Sequence, residues 1–279
     1  MASNAAMASG SSAGANMLER FRKAQQPGIE RLRQLEAAGR LPAPFAGARS
    51  GFSAALRAQG SPAVIAEYKR ASPSRGVINL ALTPEVVARM YAEAGAACFS
   101  VLTEETHFQG SLAYLSDMAF AARPLLRKDF LLDPLQVAET AATPASALLL
   151  IMRMFPGPAE VRAMLEQCAR YGLEAVCEVF DEADLDVARE AGAEIIQVNN
   201  RDLDLLVTDL SVSRRLVRHR QPGEIWISAS GLDAPGQLAE MAELGFDAVL
   251  IGTSLMSQAD PGAALKALTA VAKNRSRTT

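Results

Sequence analysis

Ile65-Ala66-Glu67-Tyr68-Lys69-Arg70-Ala71-Ser72-Pro73-Ser74-Arg75-Gly76 is the stretch on which the reading of the fold turns. An apolar, β-prone run over 64–69 ends abruptly in charge and then in a Ser-Pro-Ser turn. Side chains alternate faces along a strand, so Glu67 and Lys69 share one face. Apolar flanks argue that this face is buried. A carboxylate and an ammonium are buried together only as a pair, or as a working acid and base. The ordinary alternative, a salt bridge on an exposed edge, fits the apolar flanks and the turn less well.

Working outward, the same pattern recurs. Apolar runs at 64–69, 98–102, 124–128, 147–152, 175–179, 195–198, 224–228 and 248–251 are each followed by a longer segment of helical periodicity. Runs that are apolar nearly throughout suit strands covered on both faces, and strand–helix alternation suits a parallel sheet. An open doubly wound sheet would gather its polar residues at one switch point. Here they stand at the end of strand after strand, as in a closed barrel. The sequence therefore predicts an α/β fold, a (β/α)8 barrel (TIM barrel), as one domain over 17–279. Leu18, Phe21, Ile29, Leu32 and Leu35 fall at helical spacing and predict a pair of helices over the barrel mouth, broken at Pro27. Residues 43–51 read as a loop. Residues 1–16, rich in Ala, Ser and Gly, read as a disordered extension with neither a signal-peptide pattern nor a transit-peptide pattern.

Composition removes several classes. With 28 basic and 31 acidic residues the net charge is −3, so no general field draws the chain to nucleic acid or to a membrane surface. No run reaches the roughly 18 apolar residues of a membrane span. Cys98, Cys168 and Cys177, odd in number and set in apolar or helical surroundings, predict reduced thiols and a cytoplasmic location. His107 and His219 have no partners at ligand spacing, so no metal site is expected.

The other strand ends carry the candidate chemistry. Strand three closes Leu125-Leu126-Arg127-Lys128-Asp129-Phe130. Lys128, its pKa lowered by partial burial and by an ammonium such as Lys69, is the candidate acid, although lysines at loop starts are also common on surfaces. Glu178 stands alone among apolar neighbours in strand five, which predicts a raised pKa and a need for a lysine partner or a base role. Asn199 and Arg201 share a face after strand six, where a guanidinium fork suits a substrate carboxylate. A local Asn-Asn turn accounts for Asn200. Strands seven and eight run into Ser228-Ala229-Ser230-Gly231 and Gly252-Thr253-Ser254. Small residues there let backbone N–H groups approach an anion, the usual phosphate site of such barrels, and Ser72 adds a hydroxyl.

From about Leu18 to the C-terminal helix the chain resembles the indole-3-glycerol phosphate synthase family. The resemblance rests on Glu67-Tyr68-Lys69-Arg70 with Ser72-Pro73-Ser74, Leu126-Arg127-Lys128-Asp129-Phe130, Asn199-Asn200-Arg201-Asp202-Leu203 and Leu250-Ile251-Gly252-Thr253-Ser254-Leu255-Met256. It implies a carboxy-lyase of tryptophan biosynthesis. That activity converts 1-(2-carboxyphenylamino)-1-deoxyribulose 5-phosphate into indole-3-glycerol phosphate with loss of carbon dioxide and water, without cofactor or metal. By the resemblance Lys128 protonates the ketone oxygen, Lys69 with Glu67 orients the substrate and serves as a second acid, and Glu178 is the base of the dehydration. Asn199 and Arg201 hold the anthranilate side, and Phe108 and Phe130 pack on its ring. Ser230 contacts the substrate, while Ser72, Gly231, Gly252 and Thr253 hold the phosphate. Association with other enzymes of the pathway is compatible with such a role.

Two departures stand out. The family pattern after strand seven is Ser-Glu-Ser-Gly, and here the second position is Ala229; Phe180 stands where many members have His. Loss of a carboxylate that could partner the lysines motivates an alternative: a catalytically impaired or non-catalytic phosphate-binding barrel of the same family. A sugar-phosphate isomerase barrel is a third reading, against which Lys69 counts.

Overall fold

A computed structural model describes residues 12–60, 62–202 and 205–275. Eight parallel strands close into a barrel, each hydrogen-bonded to the next in chain order: β1 (Ala63–Tyr68), β2 (Cys98–Leu102), β3 (Leu125–Lys128), β4 (Ala147–Ile151), β5 (Glu174–Val179), β6 (Ile195–Asn199), β7 (Ile225–Ala229) and β8 (Ala248–Ile251). Closure comes from β1 against β8, with Ala63 opposite Ala248.

The local rules behind this frame are simple. Outer helices open on Pro84, Pro134, Pro158, Pro235 and Pro261, where a missing N–H costs nothing and φ is preset. Thr83 and Asp133 cap two of them by accepting backbone N–H bonds. Strand residues split by parity. Ile65, Leu126, Leu149, Val176, Ile195, Ile227 and Leu250 fill the barrel interior, while Val64, Ala66, Leu125, Leu148, Cys177, Trp226 and Val249 pack outward under the helices. Each fully buried large side chain contributes about 1.5–3 kcal/mol. Because both faces are used, the strands read as continuous apolar runs.

Two helices precede β1: α1 (Ser12–Ala37) and α2 (Phe52–Ala58). The predicted break at Pro27 is absent: α1 runs through it as one helix, so the expected pair of helices before residue 41 is a single one. Proline in a helix interior costs about 3 kcal/mol. Docking offsets it, since Phe21, Ile29 and Leu32 are buried and Arg22 and Gln25 bond to the barrel loops. The helix begins inside the segment read as an extension, and residues 1–11 lie outside the described residues. After β1 the turn forms a small antiparallel hairpin, Ala71–Ser72 with Gly76–Val77. All three cysteines are free and buried. No described helix is long and apolar enough to cross a membrane.

Candidate active site

Barrel closure brings together residues that are far apart in sequence. Glu67, at 1% exposure, accepts from two ammoniums: Lys69 Nζ lies 2.7 Å from Oε1 and Lys128 Nζ 2.9 Å from Oε2. Ser100 Oγ donates to Oε2 from 3.3 Å. A Cβ at position 252 would overlap this carboxylate, so Gly252 makes room for Glu67. Burial alone would raise the Glu67 pKa, but Lys128 and Lys69 outweigh it and hold the carboxyl down at about 2.

The two lysines do not titrate alike. Burial is the largest influence on both. For Lys69 it prevails, helped by the neighbouring ammonium of Lys128, and the pKa is lowered. For Lys128 the carboxylates of Glu67 and Glu178 together outweigh it, and the pKa is raised. The sequence reading had this reversed: it is Lys69, with only Glu67 as an attractive partner, whose proton is loosened.

Glu178 is buried and forms no ion pair within 4.0 Å among the described residues. Burial pushes its pKa up, opposed by Lys128 and by the amides of Asn199 and Gln197. Gln197 Nε2 donates to its Oε2 at 2.6 Å.

Lys69, Lys128, Glu178, Asn199, Arg201, Ser72, Phe108, Phe130, Ser230 and Thr253 line one cavity at the C-terminal ends of the strands. Glu67, Gly231 and Gly252 line an adjoining groove that shares Lys69, Lys128, Arg201, Ser230 and Thr253 with it. Thus every residue given a catalytic, substrate-binding or phosphate-binding role from the sequence borders one of two adjoining spaces. Arg201 donates to the Leu206 carbonyl at 3.1 Å, and its own N–H is accepted by Asn199 Oδ1 at 3.0 Å. Burial and the nearby Arg75 lower its pKa. Ser72 Oγ accepts from the Arg75 N–H at 3.2 Å.

Four residues escaped the sequence reading. Phe21 of α1 stacks on Phe130 with centroids 3.9 Å apart and planes at 13°, and reaches Phe108 at 6.2 Å. The lid thus contributes an aromatic wall, signalled in sequence only by helical spacing. Gln25 joins α1 to Asp129 at 3.0 Å. Asn200 is no local turn residue: buried, it donates to Ser228 Oγ and to the carbonyls of Ala229 and Ser230, and accepts from the Ser213 N–H. This clamp fixes Ser230, whose φ of 72° is strained for a residue with a side chain, and Gly231, whose φ of 78° is not. Gln197 is the fourth.

Ala229 is buried at the end of β7. Both lysines are paired with Glu67 regardless, so the alanine leaves neither ammonium without a counter-charge. Phe180 receives the Arg153 guanidinium 4.5 Å above its ring.

A closed parallel barrel with two ammoniums and two carboxylates gathered at its mouth defines the class: an α/β barrel with candidate acid–base groups at the C-terminal ends of its strands. The family model for indole-3-glycerol phosphate synthase matches residues 18–268. A protein of that name from Magnetococcus marinus is 42% identical over 88% of this chain and 94% of its own length. Another from Carboxydothermus hydrogenoformans is 40% identical over 76% and 81%. The chain belongs to the indole-3-glycerol phosphate synthase family, the carboxy-lyases of tryptophan biosynthesis. Among solved structures, 3-hexulose-6-phosphate synthase from Salmonella typhimurium matches with a TM-score of 0.61 at 12% identity, over 76% of this chain and 99% of that one, a likeness of fold alone.

Proposed function

We propose that this chain closes the indole ring of 1-(2-carboxyphenylamino)-1-deoxyribulose 5-phosphate, and that Lys128, Lys69, Glu178 and Glu67 carry the chemistry. The observation that supports it is the single carboxylate of Glu67 shared by two ammoniums that both face the cavity. The carboxyl-bearing ring carbon attacks the ketone carbon, and the ketone oxygen takes a proton from Lys128. With its raised pKa, Lys128 holds that proton throughout the neutral range. Carbon dioxide then leaves, returning its electron pair to the ring. The new hydroxyl departs as water, protonated by Lys69, whose loosened proton suits this step. Glu178, whose pKa burial raises, removes the proton from the adjacent carbon.

In this reading Arg201 and Asn199 bind the anthranilate carboxylate, and Phe108 and Phe130 flank its ring. Ser72, Ser230, Gly231, Gly252 and Thr253 surround the phosphate. The pairing of both lysines with Glu67 favours an active enzyme over an impaired barrel with Ala229 as its lesion. Residence in the cytoplasm and contact with neighbouring enzymes of the pathway belong to the same proposal, checked by fractionation and by co-purification. The central test is a steady-state assay of indole fluorescence. Lys128→Ala lowers kcat by about 10²–10⁴-fold, as expected for a lost general acid; full activity in that variant would sink the assignment.

A further inference from the structure

Gln197 is wholly buried on β6, directly opposite Glu178 in the β5–β6 register. Its placement is therefore set by strand pairing, not by a loop. One half of its amide is in use, with Nε2 donating to Glu178 Oε2 at 2.6 Å. The other half is not: Oε1 has no hydrogen-bond partner among the described residues. Buried polar atoms are nearly always paired, so a half-satisfied amide calls for a reason.

The surroundings of Glu178 supply one. Lys128 from β3 and Glu67 from β1 are the charged groups that act on it, and Asn199 and Gln197 from β6 are the neutral ones. Asn199 is committed to one orientation, because its Oδ1 accepts the Arg201 N–H at 3.0 Å. Gln197 has no such second bond. A carboxylate needs a donor and a carboxylic acid needs an acceptor, and an amide offers one on each side. Half a turn about its terminal torsion, which is soft, exchanges them.

We propose that Gln197 is a positioning residue for proton transfer at Glu178: its amide donates to the carboxylate and, turned over, accepts from the carboxylic acid, so it keeps one partner through both protonation states. The inference rests on Glu178 being the base of the reaction. The test uses the full chain and two variants. Gln197→Met keeps the length and removes both bonds; Gln197→Glu keeps an acceptor and replaces the donor by a second carboxylate. The readouts are kcat against pH and a carbon-13 NMR titration of the Glu178 carboxyl, identified by its loss in Glu178→Gln.

In Gln197→Met, the Glu178 titration moves up by about one pH unit, a tenfold change in the ratio of its forms. The corresponding limb of the kcat profile moves with it, and kcat falls about tenfold with KM within about twofold. Gln197→Glu shifts the same limb further upward, because two adjoining carboxylates share one proton. An unmoved Glu178 titration in the variants overturns the proposal. If Glu178→Gln retains full activity, the base assignment fails instead, and the titration still decides whether Gln197 governs that carboxyl.

Discussion

Arg127 and Lys128 are consecutive at the end of β3 and serve two buried charge clusters on opposite sides of the barrel wall. Outward, Arg127 bonds Thr103, the Gln136 carbonyl, Thr140, Asp129 and Glu139 at 2.9–3.3 Å. Every nitrogen of the guanidinium has an acceptor. Inward, each ammonium of the Lys69–Glu67–Lys128 trio has Glu67 as its one ion-pair partner among the described residues. An ammonium has three donors, so both lysines keep spare N–H groups directed at a cavity. A saturated cluster fixes a structure. An unsaturated one, held in place by its charges, is available to a substrate.

The comparison breaks most sharply at its centre. Glu67→Gln keeps the shape of the inner cluster and removes its negative charge, leaving two buried ammoniums facing each other. Lys69 and Lys128 then both titrate lower, and kcat falls about 10³-fold, roughly 4 kcal/mol of transition-state stabilisation. Kinetics of indole formation measure this, and a variant within tenfold of the parent would refute the shared-carboxylate design.

The outer cluster predicts the opposite balance. Arg127→Met leaves Asp129 buried without its counter-charge and Glu139 with Arg31 alone, costing about 3 kcal/mol of stability, while kcat per folded molecule changes only severalfold. Denaturant unfolding alongside activity separates the two effects. Equal losses in both would mean that the clusters are not independent.

Acid distinguishes them further. Glu67 titrates at about 2 when folded, below its ordinary value of 4.5. Its contribution to stability is therefore complete above 4.5 and is lost as pH falls through about 2. Acid unfolding of the parent has a component in that window that Glu67→Gln lacks. A superimposable acid-unfolding curve for the variant would remove Glu67 from the account.

What could be read in advance follows the same division. Strands at 98–102 and 248–251 coincide with β2 and β8 because apolar runs bounded by charge and helix signals are local facts. That these residues gather at one mouth was also legible, since strand ends converge in any closed barrel. The direction of the Lys128 shift was not, for it depends on Glu67 and Glu178, which reach it only when β1, β3 and β5 share one mouth. Helix α1 continues through Pro27 for a comparable reason: contacts with loops about a hundred residues away override a local rule. Phe21 and Gln25 were hidden with it.

Gln25 joins the lid to the wall between the two clusters and gives the smallest effect. Its Nε2 donates to Asp129 Oδ1 at 3.0 Å, and its Oε1 accepts from Gln136 Nε2 at 2.8 Å, so one amide ties α1 to the residue after Lys128 and to the helix behind it. Gln25→Ala loses two neutral-side hydrogen bonds at a part-buried site, about 1 kcal/mol. The aromatic stack of Phe21 on Phe130 keeps the helix docked, so global unfolding barely changes. The loss falls on the lid: amide exchange in α1 quickens about fivefold, and KM rises by a similar factor with kcat nearly constant. A fall in kcat with KM unchanged would instead place Gln25 in the chemistry of Lys128, joining the clusters that β3 holds apart.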